Sequence, residues 1–140
     1  ALIQQAKNLG FCSSAELIGS VEQEKLVKYY QDADVFCLPS FSEGFPCVVV
    51  EAMACGTPVA AYPVRGPIDV VKDPSAGILN EDLREAALMA LGLDRSDVRR
   101  YAERYSWERS THQFASHLVP ARRTAAFVDG EVADGQSVAR

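Results

Sequence analysis

The 140-residue chain has the composition of a globular protein, with 48% hydrophobic and 24% charged residues. Its formal net charge of −5 argues against a nucleic-acid partner, because binding to a phosphate backbone requires clustered positive charge. The four cysteines form no C-x-x-C pair and no cluster with histidine, so no metal site is predicted. We expect reduced, mostly buried thiols.

No apolar run reaches the roughly 20 residues that a membrane-spanning helix requires, and no signal-peptide pattern opens the sequence. The sequence therefore predicts a cytoplasmic protein. Peripheral contact with a membrane, through a region outside this sequence, is the alternative.

The first third of the chain alternates helical and extended patterns. Residues 1–8 have the apolar spacing of a helix. A short strand is predicted at 15–18 and an amphipathic helix at 22–31. Residues 35–38 form the continuous apolar run VFCL, which is typical of a strand covered on both faces in a parallel sheet.

The middle of the chain repeats this alternation. A helix is predicted from Pro46, which suits the first helical position, through residue 54 to Gly56 as its C-terminal glycine. A second buried strand is expected at 59–62, a turn or short helix at 68–71 and a third strand at 77–79. Strands that alternate with helices predict βαβ units, and hence an α/β protein with a parallel sheet.

Three further helices are predicted at 81–91, 94–105 and 107–119. Ser106 is the expected N-cap of the last one, and the arginines of the second are interpreted as a solvated face. Beyond residue 119 the periodicity disappears. We expect one domain over residues 1–119 and a flexible tail over 120–140.

The loop at 40–45 follows the first predicted parallel strand, at the sheet edge where α/β proteins bind ligands. Gly44 lets the backbone approach a ligand closely, and the helix that begins at Pro46 directs its first N–H groups and its positive dipole end toward this loop. The arrangement favours an anion such as a phosphate or diphosphate.

Two glutamates stand on either side of this helix start. Apolar residues surround Glu51 in the sequence, so its carboxylate needs hydrogen-bonding partners. Paired ribose or hexose hydroxyls match its two oxygens. A structural ion pair is the alternative. Glu43 lies in the loop, within reach of sugar hydroxyls. Its alternative role is to interact with the helix dipole.

The segment PSFSEGFPCVVVEAMACGTPV at 39–59 resembles the E-x7-E segment of retaining GT-B glycosyltransferases, which use nucleotide-diphosphate sugars as donors. Further similarity in the same order, including LVKYYQDADV at 26–35 and GPIDVV at 66–71, extends the resemblance over residues 1–119. It implies a partial C-terminal, donor-binding half of a GT-B fold, with a Rossmann-like parallel sheet and flanking helices.

The resemblance also implies roles for individual residues. Glu43 would be catalytic, contacting the donor sugar, and Glu51 would bind the ribose, with residues 19–21 beside the nucleobase. Backbone groups toward sugar and phosphate would come from Gly44, Phe45, Pro46 and Cys47. No metal and no cofactor is implied beyond the donor substrate, a nucleotide-diphosphate sugar.

Enzymes of this kind also have an N-terminal acceptor domain and two further strands with a basic pair for the donor phosphates, and neither lies within these 140 residues. We therefore expect a fragment that is unstable and inactive alone, and the acceptor is unknown. The alternative is a non-catalytic sugar-nucleotide-binding module that acts with a partner chain.

Overall fold

The computed structural model describes residues 2–11, 14–119, 127–128 and 131–132. The chain forms two compact units, Ala1–Tyr105 and Ser106–Arg140. Within the described ranges, no helix has both the length and the apolar character needed to cross a lipid bilayer.

The larger unit is built on a sheet of three parallel strands. In sheet order these are β1 (Phe36–Leu38), β2 (Val59–Ala61) and β3 (Gly77–Leu79). Ala60 lies in the middle of the register, opposite Cys37 on one side and Ile78 on the other. The predicted α/β class and all three of these strands are confirmed, with bounds within one residue of those expected.

The described residues of the same unit form six helices: α1 (Leu2–Asn8), α2 (Gln23–Asp32), α3 (Cys47–Ala54), α4 (Pro67–Val70), α5 (Leu83–Ala90) and α6 (Arg95–Ala102). The predicted helix at 81–91 begins later than expected, because the Asp82 side chain accepts hydrogen bonds from the backbone N–H groups of Arg84 and Glu85 and so becomes the N-cap. Pro46 directly precedes α3 instead of being its first residue.

The two faces of the sheet are covered by different helices. On one face Leu38, Val59 and Ala61 join a core with the fully buried Val49 and Met53 of α3. On the other face Ala60 packs against small residues of α5. Helix α3 is therefore fixed by its apolar side against the sheet, and this sets where its N-terminal end lies.

Two expectations for the N-terminal half are wrong. Residues 15–18 form no strand, and the side chains of Leu17 and Ile18 are 55% and 41% exposed; a strand requires a neighbouring strand to hydrogen-bond with, and the described sheet begins at β1. Strand β1 is not covered on both faces either. Cys37, in the middle of β1, is exposed, and β1 is an edge strand of the described sheet.

The C-terminal end of α2 is tied firmly to the rest of the unit. The Arg95 guanidinium donates hydrogen bonds to the backbone carbonyls of Gln31 and Ala33, at 2.8 and 2.7 Å, and the buried Thr57 hydroxyl donates to the carbonyl of Tyr30. Arg95 is exposed, as expected for the α6 arginines, but its guanidinium also bonds the backbone of α2. Its bonds join the end of α2 to the start of α6.

The second unit contains α7 (Trp107–Ser116), whose N-cap is Ser106 as predicted: its hydroxyl accepts from the Arg109 N–H. All residues from 107 to 119 are exposed. Two short antiparallel strands follow, β4 (Phe127–Val128) and β5 (Glu131–Val132). The rest of the predicted tail at 120–140 lies outside the described residues.

Candidate functional site

The site predicted from the sequence lies where β1 ends and α3 begins. Residues 40–45, here called the 40–45 loop, leave the C-terminal end of β1, and residues 62–66 leave the neighbouring end of β2. The Phe41 ring stacks on the Tyr62 ring at a centroid distance of 4.7 Å. The two segments therefore meet beyond the carboxyl ends of β1 and β2. Open parallel sheets bind their ligands at these strand ends.

Glu43 is half-buried in this loop. Two residues on, the Phe45 ring is 58% exposed and meets the Tyr105 ring edge-on at 6.3 Å. Within the described part of the chain, Glu43 makes no salt bridge. Its carboxylate is therefore available to a ligand.

The start of α3 offers backbone donors beside Glu43. The N–H groups of Gly44, Phe45 and Val48 have no backbone acceptor among the described residues. The Cys47 N–H, by contrast, donates to the Phe45 carbonyl at 2.9 Å. Three free donors at the positive end of a helix dipole form a suitable environment for an anion.

Glu51 occupies the second turn of α3 and is half-buried. The Tyr30 hydroxyl, from α2, donates a long hydrogen bond of 3.4 Å to its Oε2. Burial of the Tyr30 ring, together with the negative charge of Glu51, raises the pKa of Tyr30 from 10.0 to about 12. Tyr30 therefore remains a neutral donor, and the Glu51 carboxylate keeps most of its hydrogen-bonding capacity for other groups.

The cysteines near the site do not have the burial that the sequence predicted. Cys37 and Cys47 are exposed, Cys55 is half-buried and all three are free thiols, while Cys12 lies outside the described residues. Burial nonetheless raises the pKa of the Cys55 thiol, and nearby Glu51 adds to this while Arg99 opposes it. The expectation of mostly buried thiols is therefore wrong for Cys37 and Cys47, whereas Cys55 is partly buried and packs against the core.

Residues 19–21, expected beside a nucleobase, lie at a separate cleft of about 590 Å³. Ser20 and Val21 line it together with Lys25 and Tyr29 of α2. Tyr29 lines this cleft, and the adjacent Tyr30 hydrogen-bonds Glu51. Helix α2 therefore contributes side chains both to the cleft and to the surroundings of Glu51.

Two contributors to the site were not found from the sequence. Tyr30 falls within the predicted helix at 22–31 and Gly66 within the GPIDVV segment of the resemblance, and no contact with a glutamate was predicted for either. Tyr30 carries a signal that could have been used, because a tyrosine at a buried helical position needs a partner for its hydroxyl. Gly66 gives no such local signal, since its partners lie in a different loop.

Comparison with known proteins identifies the chain. A model of the family described as glycosyl transferases group 1 matches residues 1–95. The chain is 35% identical over 134 residues to the D-inositol 3-phosphate glycosyltransferase of Geodermatophilus obscurus, over 89% of this chain and 30% of that protein. It is 37% identical over 118 residues to the enzyme of the same name from Nocardia farcinica, over 76% and 26%. It therefore spans less than a third of the length of these relatives.

Solved structures of two other proteins are also similar to this chain. A sucrose-phosphate synthase from Thermosynechococcus elongatus superposes with a TM-score of 0.70 and 26% identity, over 82% of this chain and 32% of that one. HepE from Anabaena, solved in complex with UDP-glucose, gives a TM-score of 0.65 and 25% identity, over 82% and 35%. Both neighbours are GT-B glycosyltransferases, which confirms the expected partial GT-B fold. The chain belongs to the glycosyl transferases group 1 family.

Proposed function

We propose that this chain provides the donor site of a retaining glycosyltransferase, which binds a nucleotide-diphosphate sugar between the 40–45 loop and α3. The observation that carries the proposal is the grouping of Glu43, the free N–H groups around Gly44 and Phe45, and Glu51 along one loop and helix start. This order matches the parts of a sugar nucleotide: hexose, diphosphate and ribose.

Each part of the donor has a chemically suitable partner. Glu43 accepts hydrogen bonds from hydroxyls of the transferred sugar, and the N–H groups at the start of α3 bind the diphosphate oxygens. Glu51 accepts from the paired ribose hydroxyls. The resemblance also assigns backbone groups of Pro46 and Cys47 to this site. The Cys47 N–H already donates to the Phe45 carbonyl, and the Pro46 carbonyl already accepts from the Val49 N–H, so these two residues offer fewer free backbone groups than the resemblance implies.

The transfer step is proposed as a front-face displacement. The bond from the sugar C1 to the phosphate oxygen breaks, and a new bond from C1 to the acceptor oxygen forms on the same face. The acceptor hydroxyl proton passes to the departing diphosphate. The helix dipole and N–H groups of α3 stabilise the charge that develops on this leaving group, and Glu43 holds the sugar in place for attack.

The acceptor and its binding surface belong to the proposal as well. No acceptor is identified by the described residues, and we propose that an acceptor-binding domain must be present with this donor site for transfer. The isolated 140-residue chain is therefore expected to release no sugar from the donor at a measurable rate. It is also expected to melt at low temperature, and a sharp melting transition at high temperature would contradict the expected instability.

Titration calorimetry of the full-length protein with a panel of nucleotide-diphosphate sugars, beginning with UDP-glucose, tests the donor site. We expect saturable binding of at least one donor, and transfer with retained anomeric configuration when an acceptor is supplied. Binding without transfer by the full-length protein would support the non-catalytic module. If no sugar nucleotide binds, the proposed donor site is wrong.

A further inference from the structure

Glu43 lies in a loop that is held by little backbone hydrogen bonding: among the described residues, its Phe45 carbonyl accepts from the Cys47 N–H. The N–H groups of residues 40–45 donate to no backbone acceptor among the described residues. Gly44 has open space on the side where a side chain would extend, with no atom within 4 Å of an added Cβ. The position of the Glu43 carboxylate must therefore depend on packing contacts with neighbouring segments.

Gly66 makes one of these contacts. A Cβ atom added to Gly66 would lie 2.8 Å from the Glu43 Cβ, 2.8 Å from the Gly44 carbonyl oxygen and 3.2 Å from the Glu43 carbonyl oxygen. Separations of 2.8 Å are too short for a Cβ atom. Only glycine therefore lets the segment that contains residue 66 approach the 40–45 loop this closely. Its backbone, with φ 97° and ψ −74°, is also a conformation that other residues avoid.

Gly66 is itself anchored to the core. Its carbonyl accepts hydrogen bonds from the N–H groups of Asp69 and Val70, at 3.0 and 3.1 Å, as α4 begins. The Val70 carbonyl in turn accepts from the hydroxyls of Tyr101 and Tyr105, at 2.8 and 2.7 Å. The 40–45 loop thus rests on a glycine that is connected to α6 and to the centre of the unit.

We propose that Gly66 is a positioning residue for the donor site: by lying directly beneath Glu43 and Gly44, it sets where the Glu43 carboxylate meets the sugar. This inference rests on the proposed function, in which Glu43 binds the donor sugar. A methyl group at residue 66 displaces the loop backbone, and a displacement of about 1 Å at a reacting centre reduces rates by as much as about a hundredfold.

The test compares Gly66→Ala with Gly56→Ala. Gly56 also has a positive φ, 78°, and an added Cβ there would lie 3.1 Å from the Arg95 carbonyl oxygen, at the far end of α3. Both variants should therefore lower the melting temperature. Only Gly66→Ala should also weaken UDP-glucose binding by the full-length protein, by about tenfold. Equal losses of affinity in the two variants would overturn the proposal.

A double-mutant cycle with Glu43→Gln adds a readout that a purely structural role would not change. If Gly66 acts through Glu43, adding Gly66→Ala to Glu43→Gln should cost little further UDP-glucose affinity, although the losses in melting temperature still add. Fully additive losses of affinity would contradict the proposal. If Glu43→Gln alone leaves affinity unchanged, the assignment of Glu43 fails instead, which separates the two ideas.

NMR spectroscopy tests the contact without any ligand. In Gly66→Ala the amide resonances of Gly44 and Phe45 should shift, and in Gly56→Ala they should not. Should Gly66→Ala fail to fold, the wild-type protein still provides the decisive measurement, a nuclear Overhauser effect between the Gly66 Hα and Glu43 Hβ protons. Its absence would rule out the contact on which the proposal rests.

Discussion

The two glutamates of the candidate site are held in opposite ways. Glu43 lies in a loop whose N–H groups donate to no backbone acceptor among the described residues, and it is supported by contact with Gly66. Glu51 lies within a regular helix whose other side is buried in the core, and a tyrosine hydroxyl contacts its carboxylate. The backbone hydrogen bonds of a helix fix the position of a side chain, whereas a few substitutions can change the position of a side chain in a loop. In the proposed function, the helix therefore holds the residue that binds the ribose and the loop holds the residue that binds the sugar.

If Glu43 binds only the sugar part of the donor, Glu43→Gln should give the largest functional loss. We expect transfer by the full-length protein to fall by about a hundredfold to a thousandfold, because a charged contact that orients the reacting sugar is removed. The affinity for UDP, which has no sugar, should be unchanged. Transfer assays and calorimetry with UDP-glucose and UDP measure these effects. The exposed Glu103 at the end of α6 provides the matched Glu103→Gln control, and equal losses for both ligands would contradict the role.

Glu51→Gln should show the complementary pattern with a smaller effect. Loss of a charged acceptor for ribose hydroxyls should weaken UDP and UDP-glucose alike, by about tenfold. Wild-type protein should prefer UDP over 2′-deoxy-UDP, and Glu51→Gln should lose that preference because the hydroxyl then lacks its charged acceptor. If the preference persists in the variant, Glu51 does not bind the ribose.

Much of the architecture could be predicted because it depends on local patterns. The apolar runs that became β1 to β3 and the helix between Pro46 and Gly56 are legible in the sequence itself. The strand predicted at 15–18 fails because pairing depends on a neighbour that local sequence does not supply. Similarly, Cys37 is exposed in β1, an edge strand of the described sheet, and a continuous apolar run does not distinguish an edge strand from a central one.

In the candidate site, too, the features set by local sequence could be predicted and those that depend on long-range contacts could not. The functional groups themselves, two glutamates and a helix start, are contiguous and could be predicted. Their supports could not, because the contacts of Tyr30 with Glu51 and of Gly66 with Glu43 join segments far apart in the chain. Such contacts exist only once the helices have packed on the sheet.

The smallest expected effect is that of Tyr30→Phe, which retains the ring and its edge-on contact with Phe36 and removes only the hydroxyl donor to Glu51. A long hydrogen bond of 3.4 Å contributes little, so we expect UDP affinity to fall by about twofold to fivefold. Tyr101→Phe is the control, since its hydroxyl bonds the Val70 carbonyl and the Lys72 N–H away from Glu51. A larger loss in the control would show that the effect is not specific to Glu51.

The same variant tests the contact through the pH dependence of stability. Burial, with the Glu51 charge as a second cause, raises the pKa of Tyr30 from 10.0 to about 12, so the folded state favours the neutral phenol. Its stabilising contribution is complete below pH 10 and is lost as the pH rises to about 12, because the unfolded tyrosine releases its proton first. Denaturant unfolding across this range should therefore show a shallower decline for Tyr30→Phe than for the wild type. Parallel curves for Tyr30→Phe and wild type would mean that Tyr30 is not held neutral in the fold.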